Sequence, residues 1–199
     1  MRQLLSSRLL SPSRLFLVVF VLMASTSSAL ELRDPDELFN PFLGIDYSHW
    51  LVGPISEMAT DDEVEAFLLV TSDDGARQFI DAFWTKRAEG YGFFDTKPRD
   101  IFAERSAEAD KRYSEAAYAG SRTDRGMVFI LYGEPTEIEY ETDKDRRNDK
   151  PVEVWKYDKD SAEGLNEEKP KKLYRFIKTG DLTELYERAP RTLRTRRPF

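Results

Sequence analysis

The chain has 199 residues, with 30 Lys and Arg against 37 Asp and Glu and a formal net charge of −7. It carries no cysteine and a single histidine, His49. These counts exclude a disulfide framework, a thiol nucleophile, an Fe–S cluster and a thiolate zinc site. A multi-histidine metal centre cannot come from one such chain, and a Ser-His-Asp triad would have to run through His49.

The N-terminus is basic, with Arg2, Arg8 and Arg14 and no acid before residue 30. Residues 15–24 (LFLVVFVLMA) form an apolar run, and residues 25–29 (STSSA) place Ser27 and Ala29 at small-residue positions. This charge, core and cleavage-site order is that of a secretory signal over residues 1–29, cleaved after Ala29. An uncleaved N-terminal anchor is the alternative, although the run is short for a span of about 20 residues. No cysteine follows it, so a lipoprotein is excluded. Cleavage removes three Arg and no acid, so 27 basic residues face 37 acidic ones and the net charge becomes −10. The expectation is a periplasmic or secreted protein of a bacterial envelope, with one domain and tails.

After the signal, residues 30–49 read as an irregular lead-in, interrupted by Pro35, Pro41 and Gly44. Thr60-Asp61-Asp62-Glu63 has the capping-box pattern, and Val64, Phe67 and Leu68 follow at helical spacing. Thr71-Ser72-Asp73-Asp74 opens a second helix whose inner face is Ala76, Phe79, Ile80, Phe83 and Trp84. Gly90 and Gly92 break the chain, and Pro98 fits the first turn of a third helix. Its inner stripe is Phe102, Ser106, Ala109, Tyr113, Ala116 and Ala117, with Gly120 as its stop. Residues 127–132 (MVFILY) are six apolar residues in a row, and that length predicts a strand buried on both faces. Gly133-Glu134-Pro135 turns the chain. Residues 137–141 alternate as a half-buried strand, residues 152–157 (VEVWKY) form another, and residues 173–177 (LYRFI) a third. Polar loops fill 142–151 and 158–171, the second expected to be mobile. Leu182, Leu185 and Tyr186 fit either a helical turn or a further strand.

Helices first and strands afterwards define an α+β class: about three N-terminal helices packed on a small, mainly antiparallel sheet of three to four strands. The single domain is expected over residues 50–187, followed by a basic tail over 188–199.

The stretch from Gly120 (GSRTDRGMVFILYGEPTEI) resembles the bacterial GWxTD domain family, named for a Gly-Trp-x-Thr-Asp motif. The family's following Arg-Gly, apolar segment and Tyr-Gly-x-Pro turn are similar to Arg125-Gly126, residues 127–131 and Tyr132-Gly133-Glu134-Pro135. Upstream, Trp50-Leu51 and the segment from Arg77 to Trp84 look like its lead-in and Phe-Ile-x-x-Phe-Trp helix. Downstream, residues 152–157 are similar to its Tyr-Glu-x-Trp-x-Tyr strand, so the resemblance covers roughly residues 50–180. The chain departs from the pattern at Ser121, where the family has Trp, at Arg87-Ala88-Glu89, where it has Arg-Asp-Pro, and at Arg99-Asp100, where it has Asn-Glu. The family implies an exported bacterial protein and attaches no reaction to it. If the motif's Trp packs, Phe93 or Phe94 is expected to fill its space here.

Gly120, Thr123, Asp124, Arg125, Gly126, Tyr132, Gly133 and Pro135 are therefore the candidate motif. A hydroxyl, a carboxylate and a guanidinium in succession can bind a polar ligand. Turn chemistry explains them more simply, with Asp124 closing an Asx-turn or capping the turn after the third helix, Arg125 pairing with a helix acid and Gly126 allowing a close backbone approach. His49 lacks a neighbouring nucleophile motif and is expected to pack rather than catalyse. Asp143, Asp145 and Asp149 lack the ordered spacing of a calcium loop, so no metal ligand is assigned. No cofactor is expected.

Arg188, Arg191, Arg194, Arg196 and Arg197 make a +5 tail on a body, residues 30–187, whose 22 basic and 37 acidic residues give −15. The tail is a candidate contact for its own domain, an acidic envelope partner or an anionic lipid surface. Export makes nucleic acid an unexpected partner. The functional expectation is a non-enzymatic interaction or structural module; a carboxylate-dependent envelope hydrolase and a small-ligand binding domain are the alternatives.

Overall fold

The structure, a computed structural model, describes residues 34–93, 95–142 and 151–186. The signal reading of residues 1–29, Phe94, the acids at 143–149 and the tail at 188–199 lie outside the described residues. Among the described residues there are six α-helices: α1 (Ile45–Ser48), α2 (Pro54–Met58), α3 (Asp61–Leu68), α4 (Asp73–Arg87), α5 (Pro98–Arg112) and α6 (Asp124–Tyr132). Four strands follow: β1 (Glu137–Thr142), β2 (Pro151–Lys156), β3 (Leu173–Thr179) and β4 (Leu182–Leu185). They form one antiparallel sheet in the order β1-β2-β3-β4, which is the α+β arrangement read from the sequence.

Local signals set most of the helices. Thr60 accepts from the Glu63 amide at 3.2 Å while the Glu63 carboxylate accepts from the Thr60 amide at 3.0 Å, a complete capping box on α3. Ser72 caps α4 by accepting from the Gly75 amide, and Pro98 opens α5. Glu63 also receives Arg87 at 2.7 Å and Lys86 at 3.0 Å, which ties the start of α3 to the end of α4. Burial alone would raise the Glu63 carboxyl, but the Arg87, Thr60 and Lys86 donors outweigh it and hold it down at about 2. Trp50 meets Phe67 of α3 in a tilted contact with centroids 4.9 Å apart and meets Phe79 and Phe83 of α4 edge to face. The lead-in contributes to this core. Asn40 is fully buried and donates to the Phe67 and Val70 carbonyls at 2.9 Å, satisfying the end of α3.

Residues 127–132 are helical, not a strand. The helix α6 is capped by Thr123 and stopped at Gly133, whose φ of +78° favours glycine. Its residues from Gly126 to Leu131 are all buried, so the apolar run reflects a helix enclosed on every side. Helix α5 ends at Arg112 rather than at Gly120; Tyr113 caps it, and Ala116 takes a φ of +51° in the loop beyond. Leu182 to Leu185 resolve as strand β4, not a helical turn.

Alternate strand residues face the helices. Trp155, Tyr174 and Phe176 pack with Ala109 and Tyr113 of the α5 end and with Val128, Phe129 and Ile130 of α6. The edge strand β1 is more open than its alternation implies, with Ile138 at 41% and Tyr140 at 72% exposure. The loop expected to be mobile is tied to α6, because the Leu165 amide donates to the Leu131 carbonyl at 2.9 Å and Asn166 donates to the Tyr132 hydroxyl at 3.0 Å.

Candidate functional site

The candidate motif residues divide between the two ends of α6, a nine-residue helix about 13 Å long. Gly120, Thr123, Asp124, Arg125 and Gly126 meet at its start; Tyr132, Gly133 and Pro135 lie at its end. At the far end the Gly133 carbonyl accepts the Tyr157 hydroxyl at 2.8 Å, and Arg105 donates to the Ile130 and Leu131 carbonyls at 2.9 and 3.1 Å. Arg105 thereby satisfies carbonyls at the α6 C-terminus. Tyr132 is half-buried, and that burial raises its hydroxyl pKa. Pro135 leads the chain from this end into β1.

At the start of α6, residues Gly120–Arg122 make a short 3-10 turn. The Thr123 hydroxyl accepts from the Gly126 amide at 3.1 Å and donates to the Gly120 carbonyl at 2.8 Å. Gly120 and Gly126 are close-approach positions. A Cβ on Gly126 would lie 2.6 Å from the Gly120 carbonyl carbon, and one on Gly120 would lie 2.5 Å from that of Ala109. Asp124 reaches across the molecule and accepts the Leu185 amide of β4 at 2.5 Å. Its burial raises the carboxyl pKa, with the Leu185 amide opposing and Glu184 and Glu115 adding to the rise.

Arg125 lies between two carboxylates, Glu115 at 3.4 Å and Glu153 at 3.1 Å. Each acid has a second donor: Thr183 to Glu115 at 2.7 Å and the Trp155 indole to Glu153 at 2.7 Å. The group thus joins the loop after α5, the start of α6, β2 and β4. It forms one wall of a cleft of about 610 Å³, to which Tyr140, Phe176 and Thr183 also contribute. Within this wall Arg125 Nε and Glu115 Oε1 are buried without a hydrogen-bond partner. The sequence foresaw a helix acid for Arg125, but Glu115 lies in the loop after α5 and Glu153 on β2; Glu153 and Thr183 lie 28 and 68 positions from their partners.

Ser121 borders two other cavities, of about 260 and 520 Å³. Phe93 does not fill that space: it is 91% exposed. His49 borders the smaller cavity, stacks on Phe39 at 4.9 Å and lies 3.0 Å from the Ser48 hydroxyl. Ser48 is only 3% exposed, whereas His49 is exposed. Among the described residues no group of three or more His, Cys, Asp or Glu is placed to hold a metal ion.

An α+β unit whose central helix is capped and fastened by a Thr-Asp-Arg-Gly run is the class of protein that this fold and motif define. The chain matches the GWxTD domain over residues 37–179 and belongs to that family. No curated protein matches it, and no solved structure does.

Proposed function

We propose that the chain is an exported module of the bacterial envelope that acts by interaction or as structure, not by catalysis. Export is read from the signal pattern over residues 1–29. The observation that carries the non-catalytic reading is the commitment of the motif side chains. Thr123 caps α6, Asp124 accepts a backbone amide of β4, and Arg125 is held by Glu115 and Glu153. A hydrolase centred on Asp124 needs that carboxylate free for a substrate, and here one of its oxygens accepts the Leu185 amide. The basic tail is proposed as a contact for an acidic envelope partner or anionic surface.

Cell fractionation with N-terminal sequencing tests export. The expected product begins at Leu30 and lies outside the cytoplasm; an intact cytoplasmic chain overturns the reading. Crosslinking in the native envelope tests interaction, with a discrete adduct expected and monomer alone contradicting it. A second reading, small-ligand binding in the cleft of about 610 Å³, is favoured by Arg125 Nε, which is buried beside it without a hydrogen-bond partner. A melting-temperature shift across a metabolite panel supports it, and a flat panel counts against it.

A further inference from the structure

The cavity of about 260 Å³ beside Ser121 differs in character from the cleft at Arg125. Its walls are Trp50, Val52, Ile55, Phe102 and Ile130, drawn from the stretch between α1 and α2, from α2, from α5 and from α6. The two aromatic walls are braced by other rings. Trp50 meets Phe67 at 4.9 Å and Phe83 at 5.0 Å, and Phe102 meets Trp84 at 5.2 Å, between ring centroids. Ile55 and Ile130 are 3% and 0% exposed, so the core sets their positions. Walls that are already ordered cost an entering ligand little side-chain entropy.

Size and chemistry narrow the ligand. An apolar cavity of about 150 Å³ accepts one benzene ring, and about 260 Å³ has room for two fused rings. Flat rings suit walls that are themselves rings, through offset and edge contacts. On the exposed border Asp46 and Arg122 carry opposite charges, so no net charge favours an ion there. One polar group is left over. Ser106 lines the cavity from α5, and its Oγ is buried without a hydrogen-bond partner among the described residues. A hydroxyl left unmet beside apolar walls favours a ligand with one N–H to donate.

We propose that this cavity is a binding site for a neutral, flat, two-ring aromatic molecule of the indole class, whose rings pack on Trp50 and Phe102 and whose N–H donates to Ser106 Oγ. The site shares no lining residue with the cleft of about 610 Å³, and it stands whether or not the chain acts as an envelope module.

Calorimetric titration of the full chain with indole tests it, alongside benzothiophene, which has the same shape and no N–H. Saturable one-to-one binding of both is expected, with indole bound several-fold more tightly. Ser106→Ala is expected to erase that preference and leave both probes bound. Ser121→Trp and Val52→Phe each add a ring at the cavity border, and each is expected to weaken indole at least tenfold with helical circular dichroism retained. Two such variants are used so that the misfolding of one leaves the other to decide. Tyr140→Ala, at the separate cleft, is expected to bind indole as the parent does. Absence of saturable binding to the parent, equal affinity for the two probes, or undiminished indole binding in the folded ring-adding variants overturns the proposal.

Discussion

Replacing Gly126 by alanine perturbs the closest backbone crossing in the motif. The added Cβ would lie 2.6 Å from the Gly120 carbonyl carbon and closer still to its oxygen. Both obstacles are backbone atoms, so no change of rotamer relieves the overlap. Gly120 cannot retreat, because its own Cβ position is 2.5 Å from the Ala109 carbonyl carbon and 2.9 Å from the Ser114 amide. Relief therefore requires α6 to move away from the 3-10 turn, which strains or breaks the Thr123 cap at 3.1 Å and the Thr123–Gly120 bond at 2.8 Å. Overpacking of about 1–3 kcal/mol and a lost cap of about 1 kcal/mol give about 2–4 kcal/mol together. For a domain of this size that is a fall in melting temperature of about 5–15 °C. Denaturant unfolding followed by the fluorescence of the fully buried Trp155 measures it. Gly75→Ala is the control. Its Cβ meets only side-chain atoms of Ser72 and Val70, at 3.1 Å, and helix propensity favours alanine there by about 1 kcal/mol. Gly126→Ala as stable as the parent would refute the reasoning.

Glu63→Gln removes the negative charge shared by Arg87 and Lys86 and leaves one acceptor oxygen in place of two. A carboxyl held down at about 2 stabilises the fold above its unfolded value of 4.5, and that stability is lost as pH falls toward about 2. Screening at this partly open pair reduces the contribution to about 1–2 kcal/mol. The variant is thus expected to be less stable at pH 7 and to converge with the parent in acid; an equal difference at both pH values contradicts this. Asp124→Asn has the opposite sign. Burial raises the Asp124 carboxyl, so folding gains from its protonation in acid and loses that gain as pH rises through the folded value. The variant relative to the parent is expected to improve between pH 4 and pH 7, and a pH-independent difference refutes it. Ser121→Trp puts an indole beside cavities of about 260 and 520 Å³ and is expected to stabilise the fold by about 1–3 kcal/mol. A lower unfolding midpoint would show that the space does not accept the ring.

The parts of the fold that were legible in the sequence are those fixed by near neighbours. The Thr60 capping box, the Ser72 cap, Pro98 at the start of α5 and the alternation of β2 each depend on residues within one turn or one strand. The run at 127–132 reads as a strand in the sequence because burial on every side erases helical periodicity, and a short apolar run fits either state. Thr123-Asp124 before it and Gly133 after it are helix start and stop signals, and they were the better evidence. The sequence extends α5 too far because Ala116 and Ala117 continue its apolar spacing, whereas the backbone leaves the helix at Tyr113 and Ala116 takes a φ of +51°. The partners of Arg125, Asp124 and Asn40 were illegible for a different reason. Each lies between 10 and 61 positions away, where only the assembled topology decides. The motif residues were found, but their distribution over two ends of one helix was not.

Denaturant unfolding of Thr123→Ala tests most directly whether the motif serves the fold. Thr123 is 7% exposed, and its hydroxyl both accepts from Gly126 and donates to Gly120. The predicted result is a loss of about 1–2 kcal/mol with the fold retained. An unfolding midpoint equal to that of the parent would contradict a structural role and return the motif to the candidates for chemistry.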